Sequence, residues 1–96
     1  MAITSTTKAL EKVARGFSCH RRIQILQVLD QSEEALPLWQ IASACGAAIN
    51  PIGEHVRRLY VAELISKKTR KREVLHDLTP LGRKVVSFLK SIRPID

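Results

Sequence analysis

Ninety-six residues with 45% hydrophobic content suit one domain with a modest core. With Phe17, Trp39, Tyr60 and Phe88 as the only aromatics, that core falls to Leu, Ile, Val and Ala. Sixteen Lys and Arg against nine Asp and Glu give a net charge of +7, which favours a polyanionic partner. No run approaches the roughly 18 apolar residues of a membrane-spanning helix, and no apolar leader precedes Cys19 and Cys45, so a membrane partner is not expected and a reducing cytoplasm with both thiols free is.

Leu10, Val13 and Phe17 recur at helical spacing, with Thr6 or Thr7 as N-cap candidates and Gly16 as terminator, which predicts a first helix over 5–16. From His20 to Gln31, Ile23, Leu26 and Leu29 share one face and Ile25 and Val28 widen it, as befits a central core helix over 20–31. After the polar break Gln31-Ser32-Glu33-Glu34, Pro37 suits the first turn of a third helix, 37–46. There Leu38, Ile41, Ala42 and Cys45 follow at helical spacing, and Gly46 ends the segment. Ala47-Ala48-Ile49 makes a tight turn, Asn50 is the expected cap, and Pro51 opens a fourth helix, 50–63, that turns Ile52, Val56 and Leu59 inward. A short helix, a turn containing Gly and another helix form the helix-turn-helix signature.

The period then changes. Leu64 to Lys68 and Arg72 to Leu78 read as two short strands around Thr69-Arg70-Lys71, a hairpin over 64–78 whose tip lacks Asn-Gly or Asp-Gly. Thr79 caps a last helix over 80–92, with Pro80 in its first turn, apolar positions Leu81, Val85, Phe88, Leu89 and Ile92, and Pro94 closing it.

Four helices, a hairpin and a closing helix resemble the winged helix-turn-helix domain of ArsR-like and MarR-like transcriptional regulators. The resemblance spans most of the chain as a single domain, 1–96, of α+β class and mostly α. It is carried by Arg22-Ile23-Gln24-Ile25-Leu26, by Leu38 through Gly46, by the spacing from Gly46 to Leu64-Ile65, and above all by Leu78-Thr79-Pro80-Leu81-Gly82. It implies a three-helix core, a two-stranded β-wing and a C-terminal helix.

The resemblance further implies a double-stranded DNA-binding protein, a transcriptional regulator acting as a homodimer, whose fourth helix enters the major groove. Ala48, Ile49, Asn50, Pro51, Gly53, Glu54, Arg57 and Arg58 would then face DNA. Relatives usually carry Ser, Thr, Gln or His at several of these positions, whereas here only Asn50, Glu54 and Arg57 can hydrogen-bond bases. Asn50 suits adenine, Arg57 guanine or a phosphate, and Glu54 cytosine N4. The terminal helices would build a two-fold interface from Leu10, Val13, Phe17, Val85, Phe88, Leu89 and Ile92.

Charge separates the two elements. Between Asn50 and Glu63, Arg57 and Arg58 are cancelled by Glu54 and Glu63, whereas Lys67, Lys68, Arg70, Lys71 and Arg72, interrupted only by Thr69, put five cations into six residues. A solvated hairpin is the ordinary reading of such a run. Like charges facing one another across a hairpin are destabilising, however, so phosphate neutralisation accounts for the crowding better.

Metal and catalytic readings fare worse. The metal-sensing relatives use paired cysteines in the positioning helix, and Leu38-Trp39-Gln40-Ile41-Ala42 has none. Cys45 falls at an inward position, while His20, His55 and His76 are scattered singly, so neither metal nor cofactor is expected. His76 is expected to be a half-buried structural residue and Trp39 a partly buried edge residue. No phosphate loop, carboxylate pair or nucleophile elbow marks an enzyme. The alternatives kept are a winged-helix protein-interaction module and an RNA-binding protein.

Overall fold

The computed structural model describes residues 2–94, with side chains from residue 6 onward. Its elements in chain order are α1 (Ala2–Phe17), α2 (His20–Gln31), β1 (Leu36–Pro37), α3 (Leu38–Cys45), α4 (Ile49–Val61), β2 (Ile65–Arg70), β3 (Glu73–Leu78) and α5 (Pro80–Ser91). This is the expected winged helix-turn-helix order with one addition, a third strand. β1 pairs antiparallel with β3 through Leu36 and His76 and through Pro37 and Leu75, so the sheet runs β1-β3-β2. Two residues carry no periodic signal, and a proline without an N–H fits an edge strand. Pro37 is accordingly the extended N-cap of α3 rather than a residue of its first turn.

The core forms where α2 meets α3, α4 and the sheet. Ile25, Leu26, Ile41, Ile52, Leu59, Leu64 and Ile65 are fully buried, with Leu29, Val56, Leu78, Val85 and Val86 around them. Cys45 lies in this cluster as an inward apolar residue, and burial raises its thiol pKa. Gly46 ends α3 as expected, at φ 63, with its N–H donating to Ser43 and that of Ala47 to Ala42, a Schellman cap.

Three local assignments differ from the sequence expectation. α1 begins at Ala2, so Thr6 and Thr7 lie within the helix rather than at its cap. Gly16 is buried inside α1 and does not end it: a Cβ there would stand 2.5 Å from Ala62 Cβ, so glycine permits the close approach of α1 to α4. The N-cap of α4 is Ala48, not Asn50, because the chain turns helical at Ile49 and leaves Asn50 and Pro51 inside the first turn.

The Leu78-Thr79-Pro80-Leu81-Gly82 motif locks the end of the hairpin to the end of α4. The Thr79 hydroxyl accepts from the Gly82 N–H at 3.0 Å and donates to the Glu63 carbonyl at 2.7 Å, while the Thr79 N–H donates to Leu64 at 3.1 Å. A Cβ on Gly82 would lie 2.0 Å from the Leu64 carbonyl oxygen, so no larger residue fits this junction. Glu63 itself adopts φ 64 in a second Schellman cap, with Leu64 donating to Leu59 and Glu63 to Tyr60. The turn from α4 into the wing is thereby held from both sides.

Candidate nucleic-acid interface

The apolar stripe Ile52, Val56 and Leu59 anchors α4 and forces its other positions outward. Ala48, Ile49, Asn50, Pro51, Glu54, Arg57 and Arg58 are exposed, and Gly53 is half-buried, where a Cβ would stand 3.3 Å from Leu38 Cδ2. The charged groups Glu54, Arg57 and Arg58 of this face are engaged with one another. Arg57 donates from Nη2 to Glu54 Oε1 at 2.8 Å and from Nε to Oε2 at 3.4 Å, and Arg58 Nε lies 3.7 Å from Glu54 Oε1. Of the two acids that balance the arginines in composition, Glu54 alone pairs with them, so Glu54, Arg57 and Arg58 form an ion-pair cluster on one side of the helix and Glu63 lies outside it.

The hairpin is built around a two-residue turn, Lys71-Arg72, flanked by the pair Arg70 and Glu73. The expected tip was Thr69-Arg70-Lys71, and the shorter turn shifts the register. Lys68 now faces Leu75, Lys67 faces His76 and Arg70 faces Glu73. The cations therefore crowd along one strand and its turn, not across the ladder, which corrects the expectation of like charges face to face. Lys71 and Arg72 take φ 52 and 70, the sign pattern of a type I′ turn, at positions where Asn and Gly are ordinarily found. None of the five cations from Lys67 to Arg72 has an ion-pair partner among the described residues. Crowding and strained backbone both cost stability, and both present positive charge outward.

Three contacts aim the wing, each between residues that no local pattern connects. Trp39 is exposed rather than partly buried, and its Nε1–H donates to Glu73 Oε2 at 3.2 Å. The Lys67 ammonium sits 4.6 Å above the Tyr60 ring, tying β2 to the end of α4. His76 is buried more deeply than expected, at 4% exposure, with Nδ1 2.8 Å from the Leu36 carbonyl oxygen. Burial pushes its pKa below the usual value, so the neutral ring donates to Leu36. Between the wing and α4 lies a mostly apolar groove lined by Leu38, Trp39, Ile49 and Val74, with Lys67, Arg72 and Glu73 as its charged residues.

The terminal helices carry a separate apolar face. Leu10, Val13, Ala14, Phe17, Val85 and Phe88 line one shallow groove between α1 and α5, with Leu10 64% and Phe88 52% exposed and Val85 buried as its floor. Leu89 and Ile92 are not part of it, since they line a second groove against Ile23 and Gln27 of α2. The sequence expectation gathered the stripes of both terminal helices into one interface of seven residues, whereas Leu89 and Ile92 lie in the separate groove beside α2.

Among the described residues no three His, Cys, Asp or Glu side chains come together, and no helix is long and apolar enough to cross a membrane. Cys19 and Cys45 are both free.

No protein-family model matches the sequence, and comparison with curated proteins finds no match. Solved structures do match in fold. The homodimeric winged helix-turn-helix DNA-binding domain of a possible ArsR-family transcriptional regulator from Mycobacterium bovis superposes with a TM-score of 0.81 at 16% identity, over 93% of this chain and 82% of that one. Reduced HlyU from Vibrio cholerae gives 0.83 at 15% identity, over 98% of each chain. MepR from S. aureus, solved with a bound oligodeoxyribonucleotide, gives 0.74 at 20% identity, over 93% of this chain and 70% of that one. At these identities the likeness is one of architecture, and the architecture of this chain is the winged helix-turn-helix.

Proposed function

We propose that this protein is a cytoplasmic transcriptional regulator that binds double-stranded DNA as a homodimer, and that it is not an enzyme. The observation that carries this reading is the unpaired cationic wing beside an exposed helix face. Lys67, Lys68, Arg70, Lys71 and Arg72 belong to a hairpin that Lys67 over Tyr60 ties to α4, Trp39 to α3 and Leu36 to β1. In this arrangement α4 enters the major groove and the wing follows the adjacent phosphates. Ala48, Asn50, Pro51 and Arg57 face base edges, and Ile49 offers apolar contact to thymine methyl groups. The neighbours from M. bovis and S. aureus, a homodimeric DNA-binding domain and a regulator bound to an oligodeoxyribonucleotide, support the same use of the fold.

The groove of α1 and α5 provides the self-association surface, with Leu10, Val13, Phe17, Val85 and Phe88 packed between protomers. A two-fold dimer sets two copies of α4 about one DNA turn apart and requires a pseudo-palindromic site.

Fluorescence anisotropy with random duplex DNA, single-stranded DNA and structured RNA at two salt concentrations tests the reading. Duplex DNA is expected to bind tightest, with affinity falling as salt rises. Preference for structured RNA would transfer the wing to an RNA partner, and negligible binding to all three would make the chain a protein-interaction module.

A further inference from the structure

Glu54 is an acidic group in the middle of the exposed face of α4, where the other charged side chains, Arg57 and Arg58, are cationic, and the proposed function does not explain it. A carboxylate brought toward phosphates is repelled, so its presence on the leading face of α4 costs affinity for DNA in general. Its geometry shows a compensating use. Both carboxylate oxygens accept from Arg57, at 2.8 and 3.4 Å, and one also lies 3.7 Å from Arg58 Nε. The Arg57 guanidinium beside Glu54 holds its carboxyl below the usual carboxylate range, so the group stays charged at neutral pH. An acceptor and a donor are thus displayed side by side, one hydrogen bond apart, on the exposed face of the helix.

The major-groove edge of a G·C pair presents the complementary array. Guanine N7 and O6 accept, the cytosine N4 amino group donates, and O6 and N4 are themselves hydrogen-bonded partners within the pair. We infer that Glu54 is the specificity-determining residue of this interface, and that the Glu54–Arg57 couple reads a single G·C base pair, Arg57 on guanine and Glu54 on cytosine N4. The inference rests on the reading of α4 as the groove-facing helix.

At any other base pair the couple meets a mismatch. The carboxylate then lacks its amino donor beside guanine, and Arg57 and Arg58 are drawn back to it instead of reaching phosphates. Glu54 therefore acts twice, by accepting from the correct base and by withholding two cations from the wrong sequence. Such a filter is useful where the wing supplies strong attraction to every phosphate backbone and none of the discrimination.

The test uses the full chain and its Glu54→Gln variant in selection from a random duplex pool, followed by anisotropy on random and selected duplexes. The pairs of Glu54 with Arg57 and Arg58 are exposed, so thermal melting of the variant is expected to match the parent. The parent is expected to select one fixed G·C pair in each half-site, and the variant to lose that preference. On random duplex the variant binds about tenfold more tightly at low salt, with a salt slope steeper by about 2 per protomer, because two arginines are released to phosphates. Selection of the same base by both proteins, or unchanged affinity of the variant for random duplex, would overturn the role of Glu54 and leave the DNA-binding reading intact. A parent that binds no duplex at all would instead remove that reading and this inference with it.

Discussion

Replacing Lys68, Arg70 and Lys71 together with Gln removes three of the five wing cations while leaving Lys67 on Tyr60 and Arg72 in the turn. The three side chains are exposed and have no ion-pair partner among the described residues, so their loss leaves the core untouched. Each phosphate contact releases counterions and contributes about −0.9 to the slope of log K against log salt. Three contacts per protomer make six in a dimer and a slope of about −5, which weakens binding on the order of a thousandfold between 50 and 200 mM salt. The variant is expected to lose most of that slope and to bind more weakly to every duplex, since phosphate contacts position a protein without reading sequence. Asn50→Ala and Arg57→Ala differ in kind, with losses of about tenfold to a hundredfold confined to preferred sites. Anisotropy titrations at four salt concentrations on random and selected duplexes separate the two patterns. A triple variant with unchanged affinity and slope, and an unchanged melting temperature, would return the wing to the role of a solvated hairpin and favour a protein partner.

Other consequences follow from the same geometry. Light scattering at micromolar concentration should show about twice the 10.8 kDa chain mass, and Leu10→Asp or Phe88→Asp should give a folded monomer; a parent that is already monomeric removes the α1–α5 interface. At the hairpin tip, Lys71→Asn with Arg72→Gly should raise stability by about 1–2 kcal/mol, because positive φ is costly for both native residues. The same double variant should also weaken binding on all duplexes, and a neutral or destabilising effect on melting would show that the turn carries no such cost. The depressed pKa of His76 means that the unfolded chain takes up its proton first as pH falls. Stability is then full above the ordinary histidine pKa and declines as pH drops through and below it. Unfolding titrations from pH 7.5 to pH 5 should show this loss, and His76→Leu should reduce it. A parent and variant with the same pH profile would exclude His76 as the cause.

The order of elements was legible because it rests on local physics. Apolar residues at helical spacing mark the inner faces of α2, α3 and α4, Gly46 stops α3, and Thr79 with Pro80 starts α5, each through its own backbone preference. Charge was legible as well, since the excess of cations from Lys67 to Arg72 is a property of composition along the chain. Several placements were not. β1 is two residues long and exists only because β3 offers it a ladder, and the hairpin register depends on a turn whose residues argue against it. Trp39 with Glu73 and His76 with Leu36 are brought together by packing from distant parts of the chain, and Tyr60 meets Lys67 across the turn from α4 into β2. Sequence alone determined that a neutral helix is followed by a cationic hairpin, because spacing and charge are read residue by residue. Tertiary structure decided that the hairpin is aimed beside that helix, because direction depends on packing between elements, whereas the pairing of Glu54 with Arg57 and Arg58 follows from their spacing of three and four residues along α4.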